Sequence, residues 1–169
     1  LPRIAYLAED EKDFYARLDK LMDIAARSLK IKRQVITRLM ENGLYPYTKR
    51  YLGTFSNHFS TIGLIGMNEV GLNAKWLRAD LTDVRTQEFA KQVLDHMRER
   101  LSDYQELYGD LYNLEATPAE STTYRFAKHD KEKYPDIITA HEGATPYYTN
   151  SSHLPVGFTE DIFSALEIQ

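Results

Sequence analysis

Tyr112-Asn113-Leu114-Glu115-Ala116-Thr117-Pro118-Ala119-Glu120-Ser121-Thr122-Thr123 carries a short strand directly into a helix. Tyr112 to Ala116 has the length and apolar content of a buried strand. Thr117 then fits a helix N-cap, Pro118 the first helical position and Glu120 the third, the pattern of a capping box. The spacing predicts a helix over Thr117 to Lys128. On its upstream side, Thr82-Asp83 opens a long helix whose apolar stripe is Phe89, Val93, Met97, Leu101, Tyr104 and Tyr108, ended by Gly109. Ser60-Thr61-Ile62-Gly63-Leu64-Ile65-Gly66-Met67-Asn68-Glu69 reads as a buried strand with tight bends. Its glycines predict close approach by a backbone or a ligand.

The first long helix follows Glu9-Asp10. Phe14, Leu18, Leu21, Ala25 and Leu29 mark its buried face, which continues through Val35, Ile36 and Leu39 to a stop at Asn42-Gly43. Leu1 to Leu7 reads as a short buried strand. Residues 44 to 59, rich in aromatics and holding Pro46 and Gly53, read as a loop, and so do residues 129 to 145. Tyr147-Tyr148-Thr149-Asn150-Ser151 is a strand or loop segment, and Thr159 is placed to cap a last helix over Asp161 to Gln169. Long helices alternating with short buried strands indicate an α/β fold of parallel strands joined by helical crossovers. Too few strands are present to close a barrel. The chain opens without an initiator Met and stops on an amphipathic helix, so it is expected to be the middle of a larger protein, truncated at both ends.

Composition narrows the function. The 169 residues are 43% hydrophobic and 27% charged, which suits a globular domain with a solvated surface. The net charge is -4, with no basic excess to grip a polyphosphate backbone, so no nucleic-acid partner is expected. A single small anion remains accessible to backbone amides. There is no cysteine, which excludes disulfides, thiolate metal ligation and a cysteine nucleophile within this chain. No apolar run approaches the ~18 residues of a membrane span. With no signal-peptide pattern at the start, a cytoplasmic protein away from membranes is expected.

Three segments carry polar groups suited to a site. The helix start at Thr117 to Thr123 offers free amides and the hydroxyls of Ser121, Thr122 and Thr123 to a phosphate; the alternative is an ordinary capped helix, and Glu120 opposes a bare anion. Tyr147 to His153 is dense in hydroxyl and amide groups beside aromatics, as a ligand pocket or as a polar loop with packed tyrosines. Glu69 fits a general base, a ribose contact or a structural acceptor. The spacing of Gly63, Gly66 and Gly71 is not that of a dinucleotide fingerprint. His58, His96, His129, His141 and His153 show no helical metal spacing, so no metal site is expected. Ser60, Ser121 and Ser151 lack a nucleophile elbow, and no P-loop is present.

Together and in this order, Leu1-Pro2-Arg3-Ile4-Ala5, Ser60 to Glu69, Asn113 to Ser121 with Arg125-Phe126, and Tyr147 to Ser151 resemble the anaerobic, glycyl-radical ribonucleotide reductases. The resemblance spans essentially the whole chain. It implies part, the second half, of a ten-stranded α/β barrel, with residues 1–169 lying within one catalytic barrel domain. It also implies reduction of ribonucleoside triphosphates to deoxyribonucleoside triphosphates by the parent protein. There a glycine-stored radical oxidises a cysteine, the thiyl radical takes the ribose 3′ hydrogen, and the 2′ hydroxyl leaves as water.

By the same resemblance, Thr117, Pro118, Ala119, Glu120, Ser121 and Thr122 hold the substrate phosphates, while Tyr148, Asn150 and Ser151 wall the same pocket. No catalytic residue is expected in this chain. The radical cysteine and glycine, and a structural zinc on four cysteines, are expected elsewhere in the parent, so the isolated chain is expected to be inactive. The implied partners are a radical-SAM activating enzyme, formate or a thiol reductant, and a second copy in a homodimer. Two other readings are a formate-lyase-like glycyl-radical enzyme and a helical interaction module without a ligand. A cavity beside the Thr117 helix start distinguishes an enzyme pocket from the module.

Overall fold

A computed structural model describes residues 1–116, 118–141, 143, 145–155 and 157–168. The element order is α1 (Pro2–Leu7), α2 (Glu11–Glu41), α3 (Pro46–Leu52), β1 (Phe59–Leu64), α4 (Met67–Asn73), α5 (Val84–Tyr108), β2 (Leu111–Ala116), α6 (Glu120–Lys133) and α7 (Ile162–Ile168). Among the described residues β1 and β2 form a two-stranded sheet, so the chain is mixed α/β. No described helix is long and apolar enough to cross a membrane.

The chain divides into two compact units. The first comprises residues 1–18, 63–96 and 115–169; the second comprises 19–62 and 97–114. In the first unit, α1 packs on α4, burying Ile4 and Ala5, while Met67 and Val70 are buried on α4. Phe14, Trp76 and Phe89 meet edge to face, with centroids 5.4 to 6.3 Å apart. Such aromatic edges add about 1 kcal/mol per pair beyond area burial. In the second unit Met22, Ala26, Met97, Leu101, Tyr104 and Tyr112 are buried, and the Tyr112 hydroxyl donates to the Ala26 carbonyl at 3.0 Å. Arg33 donates to the carbonyls of Phe55 and His58 and to Ser60 Oγ, fastening the entry to β1.

The long helices follow the sequence pattern, with one shift of face. Asp10 accepts the Asp13 N–H at 2.8 Å while Asp13 accepts the Glu9 N–H at 3.1 Å, a reciprocal start to α2. At its other end the Leu44 N–H reaches the Leu39 carbonyl and the Gly43 N–H the Met40 carbonyl, a Schellman motif with Gly43 at φ +88°. The buried face of α2 is Phe14, Leu18, Met22 and Ala26, not the line through Leu21, which is 52% exposed, and Ala25 and Leu29, which are half-buried. On α5, Phe89, Val93, Met97, Leu101 and Tyr104 are buried as expected, with Tyr108 half-buried.

Four local expectations are corrected. Leu1 to Leu7 is helix α1, because Pro2 takes a first-turn position where its missing N–H costs nothing. Pro46 does the same for α3 inside the expected loop, and Gly53 at φ +69° ends that helix. The strand expected to reach Glu69 stops at Leu64. Gly66, left-handed at φ +75°, turns the chain into α4, so Asn68 and Glu69 are helical. A Cβ at Gly66 would lie 2.4 Å from Pro2 Cγ, which is the close approach its glycine predicted. Of the two readings open to it, Tyr147 to Ser151 takes the loop, with a single antiparallel bridge, Ile65 to Asn150. Finally, α7 begins at Ile162, with Asp161 accepting the Ser164 N–H at 2.9 Å, so Asp161 rather than Thr159 caps it.

Candidate functional site

The capping box at the start of α6 does not form as the spacing predicted. The N-cap is Ala119, Glu120 is the first helical residue, no side chain caps this end, and the helix runs to Lys133. Pro118 precedes the helix, because the chain leaves β2 extended and needs three residues to turn. Thr117 lies outside the described residues. The Ala119 N–H is taken by Asn150 Oδ1 at 3.0 Å. The amides that follow face outward from the first turn, where a helix has no internal acceptors for them.

Beside this helix start lies a cavity of about 790 Å³ within the first unit. Glu120 and Thr123 of α6, Asn68 and Leu72 of α4, Asp80, and the segments 139–141, 147–150 and 153–155 line it. Of the residues expected in a substrate site, Glu120, Tyr148 and Asn150 line this cavity. Pro118, Ala119, Ser121, Thr122 and Ser151 stand near it in sequence but do not line it. Pro118 and Ser121 are exposed, Ala119 and Thr122 half-buried, and Ser151 buried.

The 147–151 segment is held by side chains from elements far away in sequence. Tyr148, 2% exposed, donates its hydroxyl to Asp130 of α6 at 2.8 Å, and Asp130 also pairs with Arg3 of α1. Burial first, and then the bond to the Asp130 carboxylate, push the Tyr148 phenol above its ordinary value, so it stays a neutral donor. Thr149 gives both its N–H, at 2.9 Å, and its hydroxyl to the carboxylate of Glu69, which is fully buried. Asn68 Nδ2 donates to the same carboxylate at 3.2 Å, and Asn68 Oδ1 accepts the Leu81 N–H at 3.1 Å. Glu69 is therefore a structural acceptor, one of the roles open to it from sequence.

The carbonyls of Thr149 and Ser151 receive the N–H groups of Gly66 and Met67. These bonds fill the start of α4, and Ser151 adopts φ +47° to make its bond. Among the described residues the start of α6 has no such plug. The cavity wall is acidic, since Asp80 and Glu120 line it and no described Lys or Arg does, while His141 and His153 add imidazole groups. Among the described residues no His, Asp or Glu cluster could hold a metal.

Sequence reasoning missed Thr139, Asp80 and His141 as cavity residues, whereas His153 closes the segment it singled out. His141 and Asp80 lie in polar stretches without periodicity, and only their hydrogen-bonding side chains marked them.

Comparison with known proteins places these features in a family. A family model described as anaerobic ribonucleoside-triphosphate reductase matches residues 1–169. A protein of that name from Haemophilus influenzae is 31% identical over 92% of this chain and 24% of its own length. Another from Enterobacteria phage T4 is 26% identical over 92% of this chain and 27% of its own length. The chain thus spans about a quarter of these relatives. The crystal structure of the Thermotoga maritima anaerobic ribonucleotide reductase with glycerol in the active site superposes with a TM-score of 0.80 at 21% identity, covering 99% of this chain and 27% of that one. The same enzyme in complex with dATP and CTP gives 0.79 at 20% identity, covering 99% of this chain and 28% of that one. The fold is that of a piece of these molecules.

Proposed function

As this chain belongs to the anaerobic ribonucleoside-triphosphate reductase family, we propose that its parent protein reduces ribonucleoside triphosphates to deoxyribonucleoside triphosphates and that the cavity beside α6 holds the substrate. The carrying observation is this cavity at an unplugged helix start, with its wall pre-set by Glu69, Asp130 and Asn150. Its volume is in the range of small-molecule pockets, which supports an enzyme pocket over a helical interaction module. The nucleoside triphosphate in the relatives' names favours a nucleotide over the small acid of a formate-lyase-like enzyme.

In this reading the substrate phosphates lie against the outward amides of α6, which supply partial positive charge where no Lys or Arg does. Ala119 to Thr122 form that turn, and Tyr148 and Asn150 build the wall beside it. The wall excludes water and fixes the sugar, which matters for a radical reaction because a misplaced ribose is both slow and damaging. The barrel completed by the rest of the parent has ten strands. A glycyl radical there supplies the hydrogen-atom chemistry. With no cysteine in this chain, the thiyl group and any four-cysteine zinc site are contributed from elsewhere in the parent. Activation by a radical-SAM enzyme, reduction by formate or a thiol system, effector control and a cytoplasmic homodimer complete the proposal.

Asn150→Asp in the full-length parent tests it. Aspartate keeps the acceptor for the Ala119 N–H, so the fold stands, but adds a negative charge at the cavity wall. CTP binding by calorimetry should weaken by about tenfold or more, the effect of one repelling charge at partly screened range. Unchanged CTP affinity would remove the cavity from nucleotide binding.

A further inference from the structure

We propose that Thr139 hydrogen-bonds the nucleotide through its hydroxyl, and so serves as a substrate-contacting residue on the cavity wall; this rests on the cavity being the nucleotide site. The case begins with an inventory of that wall. Thr123 gives its hydroxyl to the Glu120 carbonyl at 2.8 Å. Tyr148 gives its hydroxyl to Asp130 and Thr149 gives its own to Glu69. Asn68 and Asn150 each spend their side-chain oxygen on a backbone N–H. Thr139 also lines the cavity and is 3% exposed, yet its Oγ1 is buried with no partner among the described residues. Five polar side chains of the wall hold the protein together, and this one holds nothing.

A buried hydroxyl without a partner is unfavourable, because water's hydrogen bonds are lost and not replaced. Valine has the same shape without that penalty. Local geometry does not force the hydroxyl there either, since residues 134–140 belong to no helix or strand beyond the turn at Tyr134. The segment is nevertheless fixed on both sides of Thr139. Asn73 receives the Ile138 N–H at 2.9 Å and donates to the Ile138 carbonyl at 2.9 Å, while the Ala140 N–H reaches the Tyr147 carbonyl at 2.9 Å. Ile137 anchors it from beneath at 0% exposure.

An irregular segment tethered on both flanks presents one unsatisfied donor and acceptor to the cavity wall. Oγ1 is shielded in the free protein, so the proposed contact requires a step of χ1 between staggered wells as the nucleotide binds.

The experiment compares the full-length parent with its Thr139→Val and Thr139→Ser variants, by thermal unfolding without nucleotide and by calorimetric titration with CTP. Thr139→Val should unfold at the parental temperature or slightly above it, while its CTP affinity falls about tenfold, the scale of one lost hydrogen bond. Thr139→Ser should bind within about twofold of the parent, on the same scale. Parental CTP affinity in Thr139→Val overturns the assignment. So does an unfolding temperature lowered by several degrees without nucleotide, which marks a structural hydroxyl. The two readings separate cleanly. If Asn150→Asp weakens CTP binding and Thr139→Val does not, only the Thr139 assignment fails. If neither weakens it, the cavity is not the nucleotide site.

Discussion

Glu69→Leu should be among the most damaging single substitutions in the chain, and the structure sets its size. Glu69 is fully buried and accepts three hydrogen bonds, from the Thr149 N–H, the Thr149 hydroxyl and Asn68 Nδ2. Leucine is similar in volume, so the packing loss is small, but all three donors lose their acceptor. An orphaned buried polar group costs about 1–3 kcal/mol, which gives roughly 2–6 kcal/mol once one of the three donors finds water. Glu69→Gln should cost only about 1–2 kcal/mol. Its amide can turn so that the oxygen still meets the Thr149 N–H at 2.9 Å, with the nitrogen donating to the Thr149 hydroxyl. Only Asn68, whose bond is the longest at 3.2 Å, then goes without.

The assay is urea unfolding at neutral pH of the parental protein, Glu69→Leu, Glu69→Gln, Thr149→Val and the Glu69→Leu/Thr149→Val double variant. Thr149→Val removes the hydroxyl that Glu69→Leu would orphan. The double variant should therefore be more stable than the sum of the single losses by at least about 1 kcal/mol, well above the ~0.5 kcal/mol expected of independent sites. Additive losses, or a Glu69→Leu loss below about 1 kcal/mol, would refute the claim that this carboxylate holds the cavity wall.

Tyr148 sets an alkaline limit. Its pKa is raised in the folded state, so its contribution is fully present below the unfolded value of about 10 and is lost as pH rises through the folded value. Stability should fall above pH ~10 by about 1.4 kcal/mol per pH unit for this group, and Tyr148→Phe should lose that share of the slope. Some slope will remain, because burial also raises Tyr15 to about 12 and raises Tyr104. A slope unchanged in Tyr148→Phe, read from unfolding curves between pH 9 and 11, would exclude Tyr148 as its source. Gly71→Ala would set a Cβ 2.1 Å from the Ala79 carbonyl oxygen and 2.4 Å from Thr86 Cγ2, so backbone must move and thermal unfolding should show a loss of about 3 kcal/mol. Gly109→Ala meets no atom within 4 Å and is strained only by its φ of +67°, so about 1 kcal/mol is expected there.

The long helices were legible because length favours periodicity. Along α5 the apolar residues recur often enough that one face wins, and five of six stripe residues are buried. On α2 two faces compete. Leu21 and Ile24 look more hydrophobic than Met22 and Ala26, yet the protein buries the latter pair and leaves Leu21 52% and Ile24 58% exposed. Periodicity fixed the helix, and tertiary contact alone chose between faces about one residue apart. The short elements were less legible, since Ile4-Ala5-Tyr6-Leu7 satisfies a strand and a helix turn equally. The partners that shape the site were beyond sequence altogether, as Arg3 and Asp130 are separated by 127 positions. Thr139 carries no local signal, because what distinguishes it is the absence of a partner.

The segment from Tyr147 to Ser151 shows why a strand-like sequence there need not make a strand. Each of its central residues is anchored to a different place: Tyr148 to Asp130, Thr149 to Glu69, and Asn150 to the Ala119 amide. Its carbonyls plug the start of α4. A sheet partner would satisfy the same backbone groups, but it would also present side chains alternately to its two faces. Anchoring residue by residue gives rigidity without that alternation, and leaves one side of the segment free to form a cavity wall. It also explains the contrast between the two helix starts. At α4 the segment takes the Gly66 and Met67 amides, whereas at α6, among the described residues, Asn150 takes only the Ala119 amide. One loop thus meets the start of one helix and fixes the wall beside the other.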